Sequence, residues 1–272
     1  MSQPLPDNTI DQKLSGGGNA GLFAEKIGAV DVNQNLKSDD WLSEILEGNR
    51  RGEVGCKDDL TAYDKRVVAM AKAHEKRWSE RFEDKEKPSS SLCFTLELQE
   101  NMTIGAGLST PYGAAALNWH WTLGVPYIPG SSLKGLMLSW ARDWEGLKEA
   151  ECVKIFGSER PKDNSDDGLQ AGQIIVFDAL PITPPTITLD ILTPHYKKWY
   201  AGGENAHWPG DWEDPNIVTF PVVKAGTEFR FAISPKRGTR LEVVKSAASL
   251  LKEALMELGA GAKTSRGYGL FG

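Results

Sequence analysis

The sequence predicts an α+β fold, with one main domain over residues 91–272 behind a helical extension over 39–90 and a flexible segment over 1–38. Three observations carry this expectation. Leu92, Phe94, Leu96 and Leu98 alternate with Cys93, Thr95, Glu97 and Gln99, the period of a half-buried strand. Two stretches, Val125–Trp144 and Arg240–Leu258, space their apolar residues at helical intervals. Between them lie three apolar runs of strand length, Ile174–Leu180, Thr186–Leu192 and Thr227–Ile233.

Taken in order, residues 1–38 contain Pro4, Pro6, a Gly16–Gly18 run and few large apolar groups. Ser38–Asp40 can cap a short helix carrying Trp41, Leu42, Ile45 and Leu46, which Gly52–Gly55 ends. A longer helix starts at Asp59 or Thr61, with Leu60, Tyr63, Val67, Met70, Ala71, His74, Trp78 and Phe82 on its apolar face. Its basic face (Lys65, Arg66, Lys72, Lys76, Arg77, Arg81) could meet a phosphate backbone, although a solvated helix face is the simpler account. Glu83–Ser91 reads as a linker into the first strand.

The main helix follows Pro126-Tyr127-Ile128-Pro129-Gly130, whose prolines forbid helix. Ser131 and Ser132 offer capping hydroxyls, and Leu133, Leu136, Met137, Trp140, Ala141 and Trp144 form the apolar stripe. A helix start at Gly-Ser-Ser with Lys134 one turn in suits a phosphate. A capped, buried helix with a solvated lysine explains the same residues. Gly157–Gly172 is polar and reads as an exposed loop around Asp163–Asp167. The next two strands are joined by the proline-rich turn Pro181–Pro185. The last helix carries Leu241, Val244, Ala248, Leu251, Leu255 and Leu258, and a glycine-rich loop, 259–272, closes the chain with a short final strand. The order is βαββαβ, that of the ferredoxin-like or RRM-like split unit.

Glycines at 259, 261, 267 and 269 let that closing loop approach another chain, and Lys263, Thr264, Ser265 and Arg266 supply charge and hydroxyls. Ala262 and Leu258 stand where a P-loop needs glycine, so it is not one. A glycine-rich hairpin turn fits the spacing as well as a phosphate site does. The net charge of -6 argues against binding nucleic acid through bulk charge, yet leaves room for a local basic groove. No apolar run reaches the ~18 residues of a membrane span, and the first residues lack a signal peptide's pattern. Cys56, Cys93 and Cys152 are far apart with no CxxC pair. The expectation is a cytoplasmic protein with no membrane, metal or cofactor.

YIPGSSLKG at Tyr127–Gly135 and GAGAKTSRGYG at Gly259–Gly269 together resemble the two-part signature of RAMP proteins of CRISPR effector complexes. Phe177-Asp178-Ala179, and Asp190–Tyr196 followed by Trp199-Tyr200, narrow the resemblance to the sixth-subunit family of the Cmr (type III-B) complex. The match covers Leu92 to Gly272. It implies an RRM-like core and a non-catalytic subunit that binds the guide crRNA toward its 3' part, with target RNA, for antiviral RNA interference. Implied neighbours are a backbone subunit, a terminal subunit and the small helical subunit. Ser131, Ser132, Lys134, Lys263, Thr264, Ser265 and Arg266 would then face phosphates and 2'-hydroxyls, because a subunit accepting any guide cannot depend on base edges.

Within an insertion at about 195–220, Tyr196, Trp199, Tyr200, Trp208 and Trp212 interleave with Lys197, Lys198 and two histidines. Of these, His195, Tyr196, Lys197 and Trp199 are candidates for stacking on RNA bases or for a subunit contact, and internal packing explains the rings equally. The alternative function is a metal-independent endoribonuclease using His120 or His195. Asp178 and Asp190, on strands expected to be adjacent, would be the carboxylates for a metal, though strand-face polarity explains them more simply.

Overall fold

The computed structural model describes residues 69, 72, 73, 76, 77, 91–105, 117–120, 122–158, 169–182, 185–196, 199, 200, 202, 208, 210 and 212–272. The segment 1–38, the helix expected after Ser38, the linker, Lys197 and the acidic loop Asp163–Asp167 lie outside these residues. Residues 69, 72, 73, 76 and 77 are helical, within the longer helix expected in the extension.

Strand β1 (Leu92–Glu97) alternates half-buried and exposed residues as its sequence requires. It pairs antiparallel with a strand far along the chain, Glu228–Pro235, in the register Leu92 to Ile233 through Glu97 to Glu228. That partner occupies the middle of the sheet. On its other side run β2 (Ile174–Val176) and β3 (Leu180–Pro181), both antiparallel to it. The run expected as one strand over Ile174–Leu180 is thus split, and between the halves Ala179 pairs with Ile128. The proline-rich turn then carries the chain out of this sheet. Among the described residues β4 (Ile187–Leu192) pairs with β5 (Val218–Val223) alone, forming a separate two-stranded sheet. The Glu228–Pro235 strand is β6.

Two long helices, α1 (Gly130–Asp143) and α3 (Leu241–Glu257), contact each other, with α1 against β2 and α3 against β1 and β6. Their stripes bury Leu133, Met137, Trp140 and Ala141 from α1 and Val244, Ala248, Leu251 and Leu255 from α3. These join Phe229, Phe231 and Ile233 of β6 in one apolar cluster. Phe94 stacks on Phe231 at 5.4 Å, and Lys252 of α3 lies over the Phe94 ring at 4.8 Å. Trp144, expected on the buried stripe, is instead 65% exposed, stacked on Trp140 at 5.6 Å. α1 ends one residue before it, so the stripe loses its partner surface there.

A short helix, α2 (Glu149–Phe156), lies between α1 and β2. The Glu151 carboxylate accepts a bond from the Lys148 N–H at 3.3 Å, which closes its first turn. At the end of the chain the Gln99 N–H donates to the Leu270 carbonyl at 2.8 Å and Leu98 pairs with Phe271. The last residues therefore flank β1 on the side away from β6.

Candidate nucleic-acid interface

At the start of α1 the expected serine caps are not made. Pro129 is the capping position without a side-chain bond, and Ser131 and Ser132 are exposed. The Gly130 N–H donates to Asp178 Oδ1 at 2.7 Å. The cause is tertiary: Ile128 and Ala179 exchange two backbone bonds, of 3.0 and 2.8 Å, and this holds Asp178 across from the helix start. The approach is so close that a Cβ on Gly130 would run into the Val176 carbonyl. A carboxylate already occupies the positive end of the helix, so any further anion here would rely on side chains more than on the helix terminus. Lys134 is half-buried, and burial lowers the proton affinity of its ammonium, as does the charge of neighbouring Lys236. Lys236 follows β6 and completes a pair of cations that the local pattern around Lys134 did not reveal.

His120 stands near the same carboxylate. Its ring meets Tyr127 edge-on at 5.5 Å, and its Nδ1 accepts from the Leu123 N–H at 3.3 Å. Burial lowers its pKa, and the Asp178 charge opposes that shift.

The closing loop is built from a different side. Lys263 has φ 61° and ψ 27°, a left-handed conformation uncommon outside glycine. Thr264–Arg266 follow as one 3-10 turn, with the Arg266 N–H on the Lys263 carbonyl at 2.9 Å. Glycine is required around it: a Cβ on Gly269 would collide with the Ala260 carbonyl, and one on Gly261 with the Thr103 carbonyl. The loop then leans on the β4–β5 hairpin. Tyr268 donates its hydroxyl to Asp190 Oδ2 at 2.7 Å and its ring lies 5.9 Å from Phe220. The Lys263 ammonium lies 5.0 Å from the centre of the same Phe220 ring. Burial first, and Asp190 second, push the Tyr268 phenol up to about 12. Thr264 is half-buried, while Ser265 and Arg266 are exposed.

The seven residues expected at an RNA backbone thus form two patches. Residues 263–266 share one turn, on the flank where the last residues lie beside β1. Ser131, Ser132 and Lys134 belong to the opposite edge, in the helix whose first residue, Gly130, is bonded to Asp178 between β2 and β3. The pair of aspartates is also separated: Asp178 serves the α1 start beside β2, and Asp190 lies on β4 in the other sheet. The expected adjacency fails because the proline-rich turn changes sheets. Among the described residues, no group of three or more His, Cys, Asp and Glu could hold a metal ion.

Residues 95–272 match the model of the RAMP superfamily. The chain belongs to that superfamily. This RAMP protein is 30% identical to the CRISPR system Cmr subunit Cmr6 of Pyrococcus furiosus over 75% of each chain. It is 28% identical to the Cmr6 of Saccharolobus solfataricus over 70% of its own length and 62% of that relative. In shape it resembles a chain in a cryo-EM structure of the type III-B Cmr-beta complex bound to cognate target RNA. The TM-score is 0.56 and the identity 19%, across 97% of this chain and 87% of that one. At that identity the likeness concerns the fold alone.

In this RAMP protein the aromatic segment spans the connection from β4 to β5. His195 is exposed, 6.3 Å from the half-buried Tyr196. Trp208 and Trp212 are 83% and 85% exposed, so internal packing does not account for them. Trp199, also exposed, stacks on Trp208 at 5.7 Å. The sequence singled out these rings but missed Phe220, Asp190 and Tyr268 as supports of the closing loop. The Gly-Tyr-Gly within that loop was the one available signal.

Proposed function

We propose that the protein is a non-catalytic, RNA-binding subunit of a type III-B (Cmr) CRISPR effector. It holds the guide crRNA backbone toward its 3' part and sits beside the backbone subunit, a terminal subunit and the small helical subunit, with target RNA in the same assembly. The observation that carries this is the 30% identity to a Cmr6 over three quarters of each chain. The strand pairings support a ferredoxin-like core over 91–272: the final residues, β1, β6 and β2–β3 lie in that order, with α1 and α3 packed together. The β4–β5 hairpin and its connection form the insertion, and 39–90 a helical extension. We place the protein in the cytoplasm; among the described residues no helix is long and apolar enough to cross a membrane.

Lys263, Thr264, Ser265 and Arg266 make one backbone contact, and Ser131, Ser132 and Lys134, joined by Lys236, make a second. Two separate patches suit a stretch of strand better than a single phosphate. His195, Tyr196, Lys197 and Trp199 contact RNA or a neighbouring subunit. Endoribonuclease chemistry finds less support: His120 precedes α1 while His195 follows β4 in the other sheet, and His120 spends Nδ1 on a backbone N–H. The test is binding of the purified full chain to single-stranded RNA across a salt series, beside the variant with Lys134, Lys263 and Arg266 all changed to alanine. Loss of three phosphate contacts lowers the logarithmic salt slope by about 2. Intact RNA and a flattened slope support the scaffold. Cleaved RNA would transfer the assignment to a nuclease, and an unchanged slope would move the RNA surface elsewhere.

A further inference from the structure

Asp190 and Phe220 are directly opposite each other in the β4–β5 register, so their side chains share one face of the hairpin. The closing loop straddles that pair, with the Tyr268 hydroxyl on the carboxylate and the Lys263 ammonium on the ring. The two contacts differ in kind. A carboxylate would neutralise the lysine, whereas an aromatic face attracts a cation and leaves its charge intact. The second carboxylate oxygen is also engaged: Asp190 Oδ1 accepts from the Ile191 N–H at 2.8 Å. Directly opposed side chains in a sheet have Cβ atoms about 5 Å apart. Asp190 therefore stands on the same hairpin face as the ring that holds Lys263.

We infer that Tyr268 is a positioning residue whose hydroxyl withholds Asp190 from Lys263, keeping the lysine's charge available to an RNA phosphate. This rests on the reading of the closing loop as an RNA contact. Tyr268 touches no RNA in this account; it acts through Asp190. Without its hydroxyl, the carboxylate turns to the ammonium on the shared face. The internal ion pair then replaces the contact to RNA.

The experiment uses the full chain, mixed-sequence single-stranded RNA and the variants Tyr268→Phe and Tyr268→Phe/Asp190→Asn, each checked by circular dichroism to be fully folded at the assay temperature. One single-strand phosphate contact contributes a factor of about 5 at 0.1 M salt. Tyr268→Phe is expected to bind about fivefold more weakly. The double variant, with no carboxylate left to capture Lys263, is expected to return to within about twofold of the parent. A merely structural role would leave the double variant as weak as the single one, and that result overturns the inference. A second readout needs no RNA: the rate at which an amine-reactive reagent modifies Lys263, followed by mass spectrometry. It falls in Tyr268→Phe and recovers in the double variant. If the labelling rates follow this pattern while Lys263→Ala leaves RNA binding unchanged, the RNA assignment fails and the withheld carboxylate stands. Equal labelling rates in all three proteins sink the inference whatever the RNA does.

Discussion

The left-handed backbone at Lys263 permits a direct test of whether this position is kept for its side chain. Replacing it with alanine removes the contact with the Phe220 ring, worth about 0.5–1 kcal/mol, and keeps the unfavourable φ of 61°. Replacing it with glycine removes the same contact but relieves about 1–2 kcal/mol of backbone strain. Glycine also adds about 0.5–1 kcal/mol of unfolded-chain entropy. At the midpoints the balance leaves Lys263→Gly more stable than Lys263→Ala by about 0.7 kcal/mol, within a range of about 0–1.5, or roughly 1–3 °C at the midpoint. Thermal denaturation of both RNA-free variants reads this difference, and RNA binding should fall equally in the two. A glycine variant melting below the alanine variant would refute the strain argument.

Other consequences can be measured on the same protein. Asp178→Ala should cost about 1 kcal/mol through loss of the cap on Gly130, whereas Ser131→Ala should cost under about 0.5 kcal/mol in the same denaturation assay. His120 holds its proton less tightly folded than unfolded, so its contribution to stability is complete above about pH 6.5 and declines as pH falls toward the folded-state value. Urea midpoints at pH 7.5 and 5.0 should therefore differ more for the parent than for His120→Gln. Removing Asp178 should lower the His120 pKa further, which an NMR titration would detect. Gly267→Ala meets open space and should cost about 1 kcal/mol through its positive φ, while Gly269→Ala also meets the Ala260 carbonyl and should cost several times as much by urea denaturation.

What the sequence revealed was local. β1, α1 and α3 were legible because each carries one clean period over enough residues. α2 was not, since its eight residues bury only Cys152 and Phe156, too few to establish a period. β5 was hidden by Pro221, which argues against a strand except at an edge, and a two-stranded sheet consists of edges. The site shows the same division. Lys263 to Arg266 could be found from glycine spacing, but their supports could not. Tyr268 bonds Asp190 across 78 positions, and Gly130 is capped from 48 positions away while serines stand beside it. A chain can advertise a capping hydroxyl that tertiary structure then leaves unused.

The pairing of β1 with β6 has a temporal side. Leu92 finds its partner in Ile233, and Leu98 finds Phe271, so the central sheet joins the early and late parts of the domain. Contacts at such separation require the intervening chain to be confined before they return any stabilisation, which slows folding. During synthesis, β1 must wait with its apolar face uncovered until β6 has left the ribosome, and the closing loop takes its anchored shape later still. Residues 263–266, one of the two proposed RNA contacts, are therefore among the last to be organised. On the proposed function, a chain released before that loop would keep only the contact at Ser131, Ser132 and Lys134.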